Sequence, residues 1–450
     1  MARAKKEAAL TPEERLQAAL VPDWEWPYKL PENWCWTTVG AINQYVGISA
    51  DPTKAKNKTF ELYSVPSSAD NYPEIVLGAD IGSAKQSVKK GDVLLCKINP
   101  RINRVWKVSK YKDHSLLASS EWIVIRNSGL ISNYLMWCFR SPYFRGYMLS
   151  NVSGVGGSLM RAQPKFVQGY PVPVPPLAEQ QRIVDRIESL FSKLDEAKEK
   201  AQAVVDSFET RKAAILHKAF TGELTAKWRE EHGVGMESWE HHQFSDLCAI
   251  VRGGSPRPAG DPRYYDGNIP FMKVADITRN DSPYVSKVEY SIKEEGLKKT
   301  RMVEANTLLL TNSGATLGVP AITTIRTTFN DGIAAFIGLD IDSLLFYYYF
   351  WTSKTAFLRS INMGAAQPNL NTKLIGEVEI DVPQTAERVE IARVLNALLS
   401  KEQQTKEAAE AALDQIDLMK KSILARAFRG ELGTNDPSEE SAVELLKQLI

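Results

Sequence analysis

Apolar residues fall at Ile183, Ile187, Leu190, Leu194, Ala197, Ala201, Val204 and Phe208, in alternating steps of four and three. Such a heptad seam is the pattern of a helix that buries one stripe against another helix. The register slips across Arg211 and Lys212 and resumes at Ile215. A second seam runs through Ile391, Leu395 and Leu398, turns polar at Glu402 and Thr405, and continues at Ala409, Ala412 and Ile416. Pro175-Pro176 and Pro383 precede the two helices, Thr385 is placed to cap the second, and Glu179 and Glu387 suit a first turn. Gly222 and Gly430 follow the last apolar residues, Phe220 and Phe428, where a left-handed residue ends a helix. The first helix is predicted over Glu179 to Phe220, about 63 Å at 1.5 Å per residue. Two such helices with matching seams are expected to pair antiparallel.

The seams belong to a duplication. Sliding the chain by 208 positions lays 174–224 on 382–432 without a gap, with 21 of 51 positions identical. Unrelated sequences would match at about one position in 17. A period this long implies two domain-sized copies rather than a solenoid. Upstream the offset drifts: "NWCWTTVGAI" matches "SWEHHQFSDL" at 205, "GDVLLC" matches "ANTLLL" at 214, and "YLMWCFRS" matches "FYYYFWTS" at 212. Each copy therefore has a front part whose loops vary and a back part of fixed length. Short apolar segments in the front parts ("GDVLLCKI", "EWIVIRN", "NTLLLTN", "IAAFIGL") read as strands. Each front part also carries one aromatic helix, near 133–149 and 343–360; the run Phe346 to Trp351 is expected to be core rather than a stacking platform. The fold class is α+β, with mixed or antiparallel sheets: two globular domains in tandem pseudo-repeat and two long antiparallel coiled-coil helices. The expected division is an extension at 1–29, domains at 30–175 and 235–383, spacer helices at 176–226 and 384–432, and a tail at 433–450.

Composition narrows the class. The 450 residues are 44% hydrophobic and 24% charged, as in a soluble protein of two or three domains. No apolar run reaches the roughly 20 residues of a membrane span. The start, "MARAKKEAAL", lacks the apolar core of a secretory signal. Cys35, Cys96, Cys138 and Cys248 are far apart, which argues against a zinc site or disulfide framework and suits a reducing cytoplasm. Net charge is only +1, but residues 30–175 hold 17 Lys+Arg against 9 Asp+Glu, a net of +8, and residues 235–383 hold 14 against 17, a net of −3. The first domain is basic enough for a polyanion; the second must rely on a local basic face or on partners.

Two loop sets have chemistry suited to nucleic acid. "KINPRINRVWKVSK" places Lys97, Arg101, Arg104, Lys107 and Lys110 around Asn99 and Asn103. Arg and Lys can take phosphate or the guanine O6/N7 edge, and Asn the adenine N6/N7 edge. In the second domain, "RGGSPRPAGDPRYYDG" and "TNSGATLG" supply Arg252, Ser255, Arg257, Arg263, Asn312, Ser313 and Thr316, with glycines that permit close backbone approach. Each loop alone also fits a solvated surface. No phosphate loop, dinucleotide fingerprint, amino-methyltransferase tetrapeptide, nucleophile elbow or metal-ligand spacing among the five histidines is present, so no catalytic or metal residue is assigned.

"YPVPVPPLAEQQRIVDRIESLF", "AFTGELTAKWR", their second copies and "LPENWCWTTVG" together resemble a type I restriction–modification specificity subunit, over about residues 20–433. The second copy departs from that pattern: "VPQTAERVEIA" lacks the PPL and EQ pair. The resemblance implies two target-recognition domains, each reading one part of a split double-stranded DNA target, held apart by the paired helices. It implies two methyltransferase subunits and restriction/translocase subunits as partners. It also implies no cofactor in this chain, with S-adenosylmethionine, ATP and Mg on the partners. A rival from another class is a two-module coiled-coil scaffold for protein partners, which leaves the +8 charge of the first domain without a role.

Overall fold

Each spacer helix leaves directly from the strand pair that closes the globular part before it. Cys35–Thr38 pairs antiparallel with Pro171–Val174, and Glu240–Gln243 with Glu379–Val382. The helix Leu177–Asp206 follows the first closure and Thr385–Ala427 the second. The computed structural model describes residues 11–154, 160–314, 316–360 and 370–450. The basic first ten residues and Ala315 of the second glycine-rich loop lie outside them. The chain folds as two units, Met1–Ala201 with Ala411–Ile450, and Gln202–Glu410. Both boundaries fall inside long helices. Each unit thus holds one globular part, the start of the helix that follows it, and the end of the other helix.

Within each unit the helices run antiparallel. In the first, Lys198 pairs with Asp417 at 3.1 Å, and Asp195, nearer the start of its helix, pairs with Lys420, farther along the other. In the second, Lys406 lies 4.9 Å over the Phe208 ring and Arg211 meets Glu402 at 2.7 Å. Ile183, Ile187, Phe208, Ile391, Leu395, Ala409 and Ile416 are buried, and Leu190, Leu194, Ala201 and Leu398 half-buried. Ala197, Thr405 and Ala412 face solvent instead; Lys406 and Leu413 stand nearer the seam.

Three further features of the helices differ from the sequence expectation. The aromatic helix near 133–149 is two helices, Ser132–Arg140 and Pro142–Ser150, because Ser141 caps a new start at Pro142. The first spacer helix is not continuous: it breaks at Ser207 and resumes over Phe208–Phe220. Arg211 Nη1 donates to the Val204 carbonyl at 3.2 Å and also bonds the Ser207 hydroxyl, which itself turns back onto Ala203. Side chains inserted into the helical ladder interrupt it. The second helix has no such insertion and runs unbroken for 43 residues. Thr385 is the first residue of that helix rather than its cap, with its hydroxyl held by Arg388.

The globular parts are α+β. The first has a three-stranded antiparallel sheet (Val105–Lys107, Val93–Cys96, Trp122–Ile125) and a five-stranded mixed sheet. The second has five- and four-stranded mixed sheets. Pairing shows that the central hairpins correspond at an offset of 215, not the 214 of the sequence alignment: Leu95 pairs with Val105 as Leu310 pairs with Pro320. A strand shifted by one residue turns every side chain to the other face. At 215, Val93 and Leu95 fall on Leu308 and Leu310, all four facing their unit's largest core, while Leu94 and Leu309 both face a smaller one.

The repeated "AFxGEL" stop completes the core of the opposite copy's domain. Phe428 is fully buried against Tyr134, with ring centres 5.4 Å apart; Phe220 packs against Phe346 and Phe350 at 5.4 and 5.6 Å. Gly222 and Gly430 take φ +80° and +74°, the left-handed turn that ends each helix. Beside each stop lies a buried carboxylate from the first turn of the other helix. Glu179 accepts from Trp34 Nε1 (2.7 Å), Asn435 Nδ2 (2.9 Å) and Thr434 Oγ1 (3.2 Å). Glu387 accepts from Arg229 Nη1 (2.6 Å), Thr225 Oγ1 (2.7 Å) and Trp239 Nε1 (3.1 Å). Residues beyond 432 also form structure: the helix Ala442–Leu449 buries Ala442 and Leu446 in the first unit.

Candidate nucleic-acid interface

The two loop sets singled out in the sequence include one loop built twice. In the first unit it joins Val93–Cys96 to Val105–Lys107; in the second it joins Thr307–Thr311 to Pro320–Thr323. The Cys96 N–H donates to the Arg104 carbonyl at 3.0 Å, and the Thr311 N–H to that of Val319 at 2.9 Å. Asn99 and Asn103 are left-handed, and so are Gly314 and Gly318, 215 positions on. Asn tolerates this conformation and Gly adopts it freely, so different residues make the same two left-handed turns.

In the first unit the loop spends most of its polar side chains internally. Asn103 Nδ2 donates to the Arg140 carbonyl at 3.1 Å, and Lys107 Nζ bonds Asn133 Oδ1. The Asn99 N–H donates to Met160 O at 2.8 Å, while its side-chain oxygen is buried without a partner among the described residues. Lys110 is exposed but paired with Asp113 at 2.6 Å. Lys97, Arg101 and Arg104 make no ion pair among the described residues. Arg145 and Arg140, outside the sequence-read loop, fasten it: Arg145 donates to the Arg101 carbonyl, and Arg140 to that of Val105 at 2.8 Å.

In the second unit Arg252, Ser255 and Arg257 converge on Asp331, which the sequence did not single out. Arg252 Nε donates to its carbonyl at 2.7 Å, Ser255 Oγ to its carboxylate at 2.6 Å, and Arg257 Nη2 lies 3.5 Å from the other oxygen. Burial acts to raise the Asp331 carboxyl, but the Ser255 hydrogen bond, its own backbone N–H and the nearby Arg257 and Arg252 outweigh this and hold it below the usual range. The signal for this residue was the "NDG" turn at 330–332 between two apolar strands. A cleft of about 280 Å³ opens here between Arg257, Lys273 and the rings of Tyr265, Phe271 and Tyr290. Arg263 is exposed but taken up by Asp261, whose pKa the guanidinium lowers to about 2.

The glycines of this segment serve packing. A Cβ on Gly253 would lie 2.3 Å from the Asn330 carbonyl oxygen, and one on Gly254 2.3 Å from that of Lys299. Asn312 is buried with neither side-chain amide atom bonded, Ser313 and Thr316 are half-buried, and the Thr316 carbonyl accepts from Thr311 Oγ1 at 2.6 Å. No group of three or more His, Cys, Asp or Glu is placed to hold a metal ion among the described residues. No helix there is long and apolar enough to cross a membrane.

A family model for the type I restriction modification DNA specificity domain matches residues 236–413. The StySPI specificity subunit of Salmonella potsdam is 25% identical over 312 residues, covering 67% of this chain and 65% of that one. The EcoKI specificity subunit of Escherichia coli strain K12 is 23% identical over 327 residues, covering 69% and 68%. The chain thus spans about two thirds of the length of these two curated relatives. The solved HsdS subunit from Thermoanaerobacter tengcongensis superposes with a TM-score of 0.66 at 21% identity, over 91% of this chain and all of that one. A chain solved in work on complex assembly of the type I R-M system gives 0.70 at 21% identity, over 90% of this chain and all of that one. The tandem α+β fold with long paired helices is shared with these solved structures, and the chain is similar to the specificity subunits of type I restriction–modification systems.

Proposed function

We propose that this chain, without catalysis of its own, reads a bipartite duplex DNA target, one half-site per globular unit. It seats two methyltransferase subunits that bind S-adenosylmethionine and restriction/translocase subunits that use ATP and Mg. The observation that carries this reading is the doubled hairpin. A loop closed by the same backbone hydrogen bond, with left-handed residues at the same two positions and different side chains, occurs once in each copy of the duplication. That is what two readers of different sequences on one scaffold require, since phosphate contacts position a protein while base contacts specify. In the first unit Arg101 and Arg104 are cations with no carboxylate partner among the described residues, Arg101 exposed and Arg104 half-buried against the Cys96 thiol; in the second, Arg252, Ser255 and Arg257 stand pre-oriented on Asp331. The fixed length of the paired helices sets the unspecified gap between half-sites.

The test is a map of methylated sequence in DNA exposed to the chain co-produced with its methylating partner. The expected motif has two short specified blocks separated by a constant unspecified gap. A hybrid carrying a relative's residues 30–175 should change the first block and keep the second. A folded, active hybrid that still methylates the original first block overturns the assignment of reading to these domains.

A further inference from the structure

Between Lys97 and Lys107 the first unit's hairpin exposes only two residues, Arg101 and Ile102. Ile102 is 53% exposed, whereas Leu317, its counterpart in the second hairpin, is 1% exposed. A lone exposed isoleucine is ordinarily uninformative. This one stands on a fastened tip. The Ile102 N–H donates to Asn99 O at 3.1 Å, the Asn103 N–H to Pro100 O at 3.1 Å, and Pro100 is buried. Asn103 is tied to Arg140, and the Arg101 carbonyl is held by Arg145. Around the tip, Lys97, Arg101 and Arg104 have no carboxylate partner among the described residues. The cations call for a polyanion, and the isoleucine between them calls for an apolar group on that same polyanion. On duplex DNA the apolar group presented in the major groove is the thymine C5-methyl.

We propose that Ile102 reads a thymine by its methyl group in the first half-site, with Arg101 on an adjacent phosphate. This deepens the bipartite reading above and rests on it. A stiff β-branched side chain on a tip fastened by these hydrogen bonds presents one defined surface to the groove. In the second unit the same position faces inward, so thymine reading by this residue is confined to one half-site.

Uracil in place of thymine removes only the methyl group, so the test uses the chain in complex with its methylating partner and duplexes with uracil at single positions of the mapped target. The native complex is expected to lose about three- to five-fold in affinity at one thymine of the first half-site, the scale of one buried methyl. Ile102→Ala should lose a similar factor on thymine DNA and show no further loss with uracil there. Ile102→Val, which keeps a branched methyl, should retain most of the uracil penalty. Both variants should respond to uracil in the second half-site as the native complex does. The proposal is overturned if no uracil in the first half-site weakens the native complex, if Ile102→Ala keeps the full penalty, or if that half-site contains no A·T pair. A complex with no sequence preference on any duplex overturns the bipartite reading itself, which is a different result.

Discussion

Replacing Arg229 by methionine removes the cation paired with a carboxylate that is fully buried. Glu387 is 0% exposed and Arg229 7%, with 2.6 Å between Nη1 and Oε1. Arg229 Nη2 also donates to the Gly222 carbonyl at 2.6 Å, the carbonyl at the helix stop. Methionine follows the arginine stem but supplies no donor. It leaves Glu387 with two neutral donors and takes the side-chain donor from the Gly222 carbonyl, and breaking a buried pair in this way costs about 3–5 kcal/mol. The equivalent carboxylate gives the contrast. Glu179 is held by Trp34, Asn435 and Thr434, all neutral. Glu179→Gln keeps an acceptor and turns an amide toward one donor, costing about 1–3 kcal/mol. In the double variant Arg229→Met with Glu387→Gln no charge remains stranded, so the two effects should fall short of additive by on the order of 2 kcal/mol. A chain of two units need not unfold in one step. The assay is therefore hydrogen exchange in increasing urea, read on peptides covering 222–240 and 380–395. An Arg229→Met cost below about 1 kcal/mol, or additivity in the double variant, would refute the claim that this pair is held in a dry site.

Phe428→Ala should destabilise the first unit by about 3–5 kcal/mol, as deletion of a fully buried ring does; Phe220→Ala should cost the second unit less, because Phe220 is only half-buried. Thermal melts of the two variants that match each other would contradict the difference in burial. In a carbonyl-carbon NMR titration Asp261 should have its midpoint near 2, and its stabilising contribution, present above the ordinary value of 3.8, should fade as pH drops through about 2. Arg263→Ala should raise that midpoint toward 3.8, and an unchanged midpoint would exclude the guanidinium as its cause. Four residues added after Ala201 and four after Ala412 lengthen both helices by about 6 Å and should lengthen the methylated target's gap by one or two base pairs at roughly 3.4 Å each. The first insertion alone should lower the melting temperature by moving Phe208 and Arg211 a turn away from Lys406 and Glu402. A gap that stays constant with both insertions means that the helices do not set it.

What could be read from the chain before folding follows from how local each feature is. The seams, the left-handed glycines at 222 and 430 and the aromatic helix Leu344–Ser360 depend on residues within a few turns of one another, so spacing alone reports them. The ungapped match at 208 reports the duplication, and the offset of 205 aligns Trp34 with Trp239, yet their purpose lies in Glu179 and Glu387, well over a hundred residues away in each case. Nor could spacing show that each "AFxGEL" serves the other copy's domain, because an antiparallel pairing brings every helix end to the opposite start. The Ser207 break depends on where one arginine side chain turns, since Lys212 next to it is equally cationic. The interface shows the same limit most plainly. A sequence displays Lys107, Asn103 and Arg263 as available cations and amides, but Asn133, the Arg140 carbonyl and Asp261 have already claimed them. The cations left without a carboxylate at the first hairpin are Lys97, Arg101 and Arg104, of which only Arg101 is exposed, beside Ile102, and a charge-based reading passes over an isoleucine. Composition reports which polar groups a loop owns; the fold decides which of them remain unspent, and a reader of DNA can use only those.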